Sequence, residues 1–221
     1  MTTWDDLKVE LRRLESDESR PLRSFPSPGV DDDRTPPFQI RLAPWATEVA
    51  ADLHARFDDD VDLSVGALHY PDRTARNPDR SLRETPRTAL DPLLEPDEVE
   101  VSLTEPVEVR SGYEADTKLE LRNRRSAEVA IRTNGRVTAR VVDPATGVTV
   151  GGFAGFQTAP LVVFRAAPGQ SIVLPLLIGT ASYDPALGYA IPPGHWAIEA
   201  VLDLEGDGPR RTPVFPITIL G

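Results

Sequence analysis

The chain has 221 residues, 40% of them apolar, a formal net charge of −11 and no cysteine. That length can bury one good core, or one domain with an appendage. The charge argues against nucleic acid and anionic membranes as partners, because both want clustered Lys and Arg, and the missing thiols remove disulfides, thiolate metal sites and cysteine nucleophiles.

Residues 3–16 read as a short amphipathic helix. Thr3 stands three residues before Asp6, as in a capping box. Trp4, Leu7, Leu11 and Leu14 fall on one face. Asp5 and Asp6 sit at the positive end, Arg12 and Arg13 near the negative end. A helix this short is marginal alone, so its apolar stripe must dock on the body or on a partner. The Met1–Asp6 opening has no apolar core of a signal segment, and no run approaches the ~18 apolar residues that mark a candidate spanning helix. The expected location is the cytoplasm. Arg far outnumbers Lys, which occurs only at 8 and 118, as a high-GC coding bias gives.

Residues 17–37 read as a linker, cut by Pro21, Pro26, Pro28, Pro36 and Pro37 and carrying the run Asp31–Asp33. Phe38, Ile40 and Leu42 then alternate as a strand. Ala46, Val49, Ala50, Leu53 and Phe57 fall at helical spacing, and Asp58–Asp60 end that helix. Val61, Leu63 and Val65 alternate again. Strand, helix and strand in this order predict a βαβ crossover. Residues 71–96 form a second connector. Arg73, Arg76, Arg80, Arg83 and Arg87 would align on a helix, but Pro78 and Pro86 interrupt it. Asp72, Asp79, Glu84 and Asp91 nearly neutralise the stripe, which favours a solvated connector over a phosphate-binding one.

From Asp97 onward, short apolar runs alternate with Gly, Pro and Asn. About eight or nine strands result, the rhythm of an antiparallel sandwich. Asn134-Gly135, Asp143–Gly147, Pro168-Gly169 and Glu205–Gly208 are the turn signals. The expected fold is mainly β, an immunoglobulin-like antiparallel sandwich with an N-terminal α/β extension. The divisions are 1–37, helix and linker; 38–96, strand–helix–strand unit and connector; 97–221, sandwich.

Leu119–Asn123, Val141–Val150, Pro168–Ser171 and Pro193–Ala200 stand in the order and spacing of an immunoglobulin-like module. Over about 117–205 the chain resembles the intracellular proteinase-inhibitor family of the BsuPI type. That resemblance implies a sandwich fold and a loop presented to a protease. The chain departs from the family pattern at Thr138–Val142, where an aromatic-acidic segment is expected. It departs again at Gly151 and Gly152, where the family has a Trp.

Chemistry-bearing signatures are sparse. His54, His69 and His195 have no second His or Glu at metal-ligand spacing. Asp203, Glu205, Asp207 and Gly208 imitate half of a calcium loop, but the twelfth position is Val214. No nucleophile elbow or phosphate loop occurs; Gly151–Gly155 lacks the following Lys. No cofactor and no metal is expected. The connection 179–193 is longer than a sandwich needs. It carries Tyr183, Asp184, Leu187 and Tyr189, residues suited to an interface, or to capping the open end of the sandwich. Phe153–Phe156 has the same two readings. The leading expectation is a cytoplasmic, non-catalytic module binding another protein through Tyr183, Asp184, Leu187, Tyr189 and the Trp4 helix. The alternatives are an intracellular proteinase inhibitor and a hydrolase or ligand-binding enzyme built on the α/β segment.

Overall fold

The first helix, α1 (Trp4–Glu15), forms where the leucine spacing places it, with Asp5 and Asp6 in its first turn and Arg12 and Arg13 in its last. Leu7, Leu11 and Leu14 are each 1% exposed, so the predicted stripe is a buried stripe. The computed structural model describes residues 4–17, 21–24, 38–70, 91–155 and 160–221. Thr3, the Trp4 side chain, most of the first connector and the Arg73–Arg87 stripe lie outside the described residues.

The proposed linker is not free of regular structure. Leu22–Ser24 forms a short strand, β1, antiparallel to β2 (Phe38–Leu42). Pro21 helps to seat it: its carbonyl accepts a hydrogen bond from the Ala43 amide at 2.7 Å. Proline forbids donation to a ladder but leaves its carbonyl free, which an edge strand tolerates.

After β2 come α2 (Thr47–Phe57), a 3-10 turn (Asp58–Asp60), β3 (Val61–Val65) and β4 (Leu68–Tyr70). The βαβ expectation holds, since β2 and β3 pair in parallel from Phe38↔Val61 to Leu42↔Val65. The sheet order is β1-β2-β3-β4. Alternation then decides the faces. Phe38, Ile40, Leu42, Val61, Leu63 and Val65 point inward, onto Leu7, Leu11 and Leu14 of α1 and Ala50, Leu53 and Phe57 of α2. An ion triad fastens the two helices: Glu10 meets Arg13 at 2.6 Å and Arg56 at 3.0 Å. The N-terminal helix and the strand–helix–strand unit therefore share one core.

The second core belongs to twelve strands. In chain order they are β5 (Val99–Leu103), β6 (Val107–Arg110), β7 (Glu114–Asn123), β8 (Val129–Thr133), β9 (Val137–Val142) and β10 (Thr149–Gly152). Then follow β11 (Val162–Ala166), β12 (Ser171–Gly179), β13 (Ala181–Ser182), β14 (Gly194–Leu204), β15 (Gly208–Arg211) and β16 (Phe215–Leu220). The chain is mainly β, with large sheets arranged as a sandwich. The strands outnumber the sequence expectation partly because the first one splits at Pro106. Before it, β5 runs antiparallel to β7; after it, β6 runs parallel to β16.

Asn134-Gly135 is not a hairpin. Both β8 and β9 are antiparallel to β14, at Arg132↔Asp203 and Ala139↔Ala200, so the chain makes an outward excursion and continues along the same neighbour. Gly135 still uses the positive φ (84°) that the motif signalled. The other turn signals form as expected. Asp143 Oδ1 accepts from the Ala145 amide at 2.7 Å, and Gly147 takes φ 69°. β14 and β15 make a hairpin around Glu205–Asp207.

Leu119, Leu121, Ile131, Leu174, Leu176, Ile198 and Ile217 lead the sandwich core, which Leu94 joins from the second connector. Buried Asn123 fixes one end of it. Its amide donates to the carbonyls of Ala127 (2.8 Å) and Ala166 (2.9 Å), and its Oδ1 accepts from the Arg125 amide (2.8 Å). No helix among the described residues is long and apolar enough to cross a membrane.

Candidate binding site

Residues 180–193, between β12 and β14, fold into a closed clasp. Its neck is a hydrogen bond from the Ile191 amide to the Thr180 carbonyl (2.9 Å) and a bridge between Ala181 and Ala190. Buried Thr180 anchors the neck, its hydroxyl placed 3.1 Å from the Arg110 carbonyl and 2.8 Å from that of Tyr113. Ser111 Oγ adds a bond to the Ile191 carbonyl at 2.6 Å.

Beyond the neck, β13 pairs with β10 at Gly151↔Ser182 and Gly152↔Ala181. This explains the adjacent glycines at 151 and 152. A Cβ on Gly151 would stand 2.2 Å from the Ala181 carbonyl oxygen, and one on Gly152 2.8 Å from the Tyr183 hydroxyl. Only glycine lets the backbones come so close.

The tip is internally bonded. Ser182 Oγ accepts from the Asp184 amide (3.0 Å) and donates to the Asp184 carbonyl (2.8 Å). The Asp184 carboxylate caps a 3-10 turn, Pro185–Leu187, by accepting from the Ala186 amide at 2.9 Å, and Gly188 (φ 79°) ends the turn. Proline at the first position removes a donor that would otherwise need a partner.

The four residues singled out on this segment face different ways. Asp184 is exposed, with Pro185, Ala186 and Gly188. Tyr183 is half-buried over Gly152; its hydroxyl donates to the Phe153 carbonyl at 3.2 Å. Burial pushes its phenol up, against a smaller pull from Arg140. Leu187 packs on the sandwich core. Tyr189 turns the opposite way, onto the α/β core, its ring 6.1 Å from Tyr70. The clasp thus touches both cores. Of the Phe153–Phe156 segment, Phe153 lies across Gly179, where a Cβ would meet its Cα at 2.5 Å; Phe156 lies outside the described residues.

Beside the clasp stands a stack the sequence reading did not single out. Trp45, in the β2–α2 connection, lies flat on Tyr113, in the β6–β7 connection, with ring centroids 4.3 Å apart and planes 6° apart. Arg23 sits over Trp45 at 5.0 Å and Arg110 over Tyr113 at 5.6 Å. Arg23 also pairs with Glu114 at 3.2 Å. The only signal for it in the sequence is an aromatic residue in each of two short connections, where recognition residues concentrate. Arg23, Tyr113, Glu114, Gly152, Gly179 and Thr180 border a hollow with room for about one water molecule. That is far below the ~300 Å³ of an organic ligand site.

His54 and His195 stand apart. His54 meets the edge of Tyr70, with centroids 6.2 Å apart, and its Nδ1 has no hydrogen-bond partner. His195 is exposed on β14 opposite Thr218. The His69 side chain lies outside the described residues. Among the described residues no three His, Asp or Glu side chains cluster as metal ligands. The acidic β14–β15 hairpin is engaged by arginine: Glu205 meets Arg132 at 2.8 Å and Arg165 at 3.6 Å, and Asp207 meets Arg125.

No family model and no curated protein sequence matches the chain. Among solved structures it is similar to a β-glucosidase from Listeria innocua in complex with glucose, at 12% identity and TM-score 0.33, over 56% of this chain and 16% of that one. It is similar to Spo0M, a sporulation control protein from Bacillus subtilis, at 12% identity and TM-score 0.29, over 56% of this chain and 49% of that one. It is also similar to the cupredoxin domain of amoB from Nitrosocaldus yellowstonii, at 10% identity and TM-score 0.29, over 56% of this chain and 88% of that one. Scores this low leave the fold resting on the strand pairing itself.

Proposed function

We propose that this chain is a cytoplasmic, non-catalytic protein-interaction module whose recognition element is the tip of the 180–193 clasp. The observation that carries the reading is the tip's construction. Its backbone is bonded internally by Ser182 and Asp184, while Asp184, Pro185, Ala186 and Gly188 face solvent. A pre-ordered exposed turn loses little entropy on binding. Asp184, with the partly buried Tyr183 and Leu187 beside it, offers a small acidic–aromatic surface suited to a basic partner, and the net charge of −11 favours the same encounter. The α1 helix is a weaker contact element, since its leucines serve the α/β core.

The test is affinity capture with the parent protein and with Ala186→Arg and Asp184→Lys. Proteins retained by the parent and lost with both variants are identified, purified and remeasured by calorimetry. We expect about tenfold or more weakening, the scale of one disrupted anchor. Equal binding by all three proteins would remove the tip from the reading.

A proteinase-inhibitor role is the second reading, supported by the same constrained, exposed turn. The 3-10 form of Pro185–Leu187 counts against it, because an inhibitory loop presents an extended backbone to the protease cleft. A protease panel with purified chain separates the two readings: inhibition at stoichiometric inhibitor supports the second, and its absence across serine, cysteine and metalloproteases removes it.

A further inference from the structure

We infer that the α/β layer is a separable cap on the sandwich, latched by the Trp45–Tyr113 stack and Tyr189, and able to undock with both cores still folded. Three independent features of the junction point to this. Each side closes its own core: α1, α2 and β1–β4 around Ile40, Leu53 and Leu63, and the sandwich around Leu119, Ile131 and Leu174. Among the described residues the two clusters share no member, and Tyr189 is the one sandwich residue that packs against the α/β core.

The junction itself is made by loops and side chains. Among the described residues no strand pairing and no backbone hydrogen bond joins the layer to the sandwich. It includes the Trp45–Tyr113 stack, the Arg23–Glu114 pair, the Tyr189–Tyr70 contact, the approach of Gly66 to the Tyr189 carbonyl, 3.0 Å from where a Cβ would stand, and that of Gly112 to Pro44. Interfaces of this kind between units of one chain permit relative motion by default.

The third feature is a flaw in the docked state. Trp45 Nε1 is buried and finds no acceptor. An indole N–H ordinarily has a partner when buried, and a desolvated, unpaired donor opposes the state that buries it. Undocking returns that donor to water. Stacking and ion pairing favour closure while the orphan N–H opposes it, the balance a two-state element needs. Opening uncovers Tyr113 and Tyr189 on the sandwich and Trp45 and Tyr70 on the layer. This device is intramolecular and stands or falls apart from any role of the clasp tip.

The test uses the absence of native cysteine. Spin labels on Ala51→Cys of α2 and Ser102→Cys of β5, both exposed, report the distance between layer and sandwich in the full-length chain by double electron–electron resonance. Tyr113→Ala removes half of the stack and should raise the long-distance population about fivefold, the equivalent of one aromatic pair. Trp45→Phe keeps a stacking ring but deletes the orphan N–H, and should lower that population below the parent's. One short distance unchanged in parent, Tyr113→Ala and Trp45→Phe overturns the inference. So does loss of the circular-dichroism signal of both units in Tyr113→Ala, since the cores would then not be separable.

Discussion

Glu10 shows how a single side chain couples two helices to pH. Burial alone would raise its pKa; the hydrogen bonds from Arg13 and Arg56 outweigh that, and the net direction is downward. A carboxylate depressed in the folded state adds stability above its unfolded pKa and loses it as pH falls through the folded one. Glu10→Gln should therefore cost on the order of 1 kcal/mol at pH 7, because both arginines are substantially exposed and screened. The deficit should vanish as the pH drops below the ordinary carboxylate range, and urea melts at pH 7 and pH 3 measure it. Gly151 is the second residue whose identity is dictated. Gly151→Ala drives a methyl into the Ala181 carbonyl, 2.2 Å away, and should cost about 1–3 kcal/mol, with β13 lifting off β10. Amide exchange at Tyr183, whose amide donates to the Val150 carbonyl of β10 at 2.8 Å, reads the lifting directly; unchanged protection would show that the strands can part without strain.

Among elements, α1 and the β7–β8 corner carry the clearest predictions. Leu11 is 1% exposed within the α/β core, so Leu11→Ala leaves a cavity there. The expected loss is about 2–5 kcal/mol, seen as an earlier melt of the layer while the sandwich transition stays in place. Simultaneous, equal displacement of both transitions would show that the two cores unfold as one. At the corner, Asn123→Ala strands the Ala127 and Ala166 carbonyls in a buried site. It should cost about 1–3 kcal/mol, and Asn123→Asp should do no better, because a carboxylate cannot donate to either carbonyl. Chemical denaturation of the three proteins tests both statements.

For the whole molecule, the junction is the feature of consequence. A tyrosine offered to solvent should be dispensable to stability, yet Tyr189 is spent on the α/β core. Tyr189→Ala should lower the midpoint of the layer's melt by several degrees, whereas Ala186→Arg at the exposed tip should leave both midpoints within about a degree. Differential scanning calorimetry of the two variants beside the parent decides this. Comparable midpoints for Tyr189→Ala and the parent would mean that the clasp does not bear on the layer.

Periodicity and turn chemistry alone determined much of this protein. The α1 stripe, the parallel β2–α2–β3 crossover, the Asp143–Gly147 and Glu205–Gly208 turns and the mainly β character were all legible, because helix and strand spacing are local and burial follows them. The length of the 179–193 connection was legible too. What could not be read were relations between segments distant in the chain. β1 looks like linker because a three-residue edge strand exists only by pairing with β2. Asn134-Gly135 looks like a hairpin because the motif reports a backbone conformation, and only β14 decides whether the chain turns back or goes on. Tyr183 and Tyr189 look equivalent in sequence, yet one covers Gly152 and the other reaches the α/β core. The Trp45–Tyr113 stack joins residues from opposite sides of the second connector. Such contacts come from how two separately specified cores dock, and no periodicity encodes that.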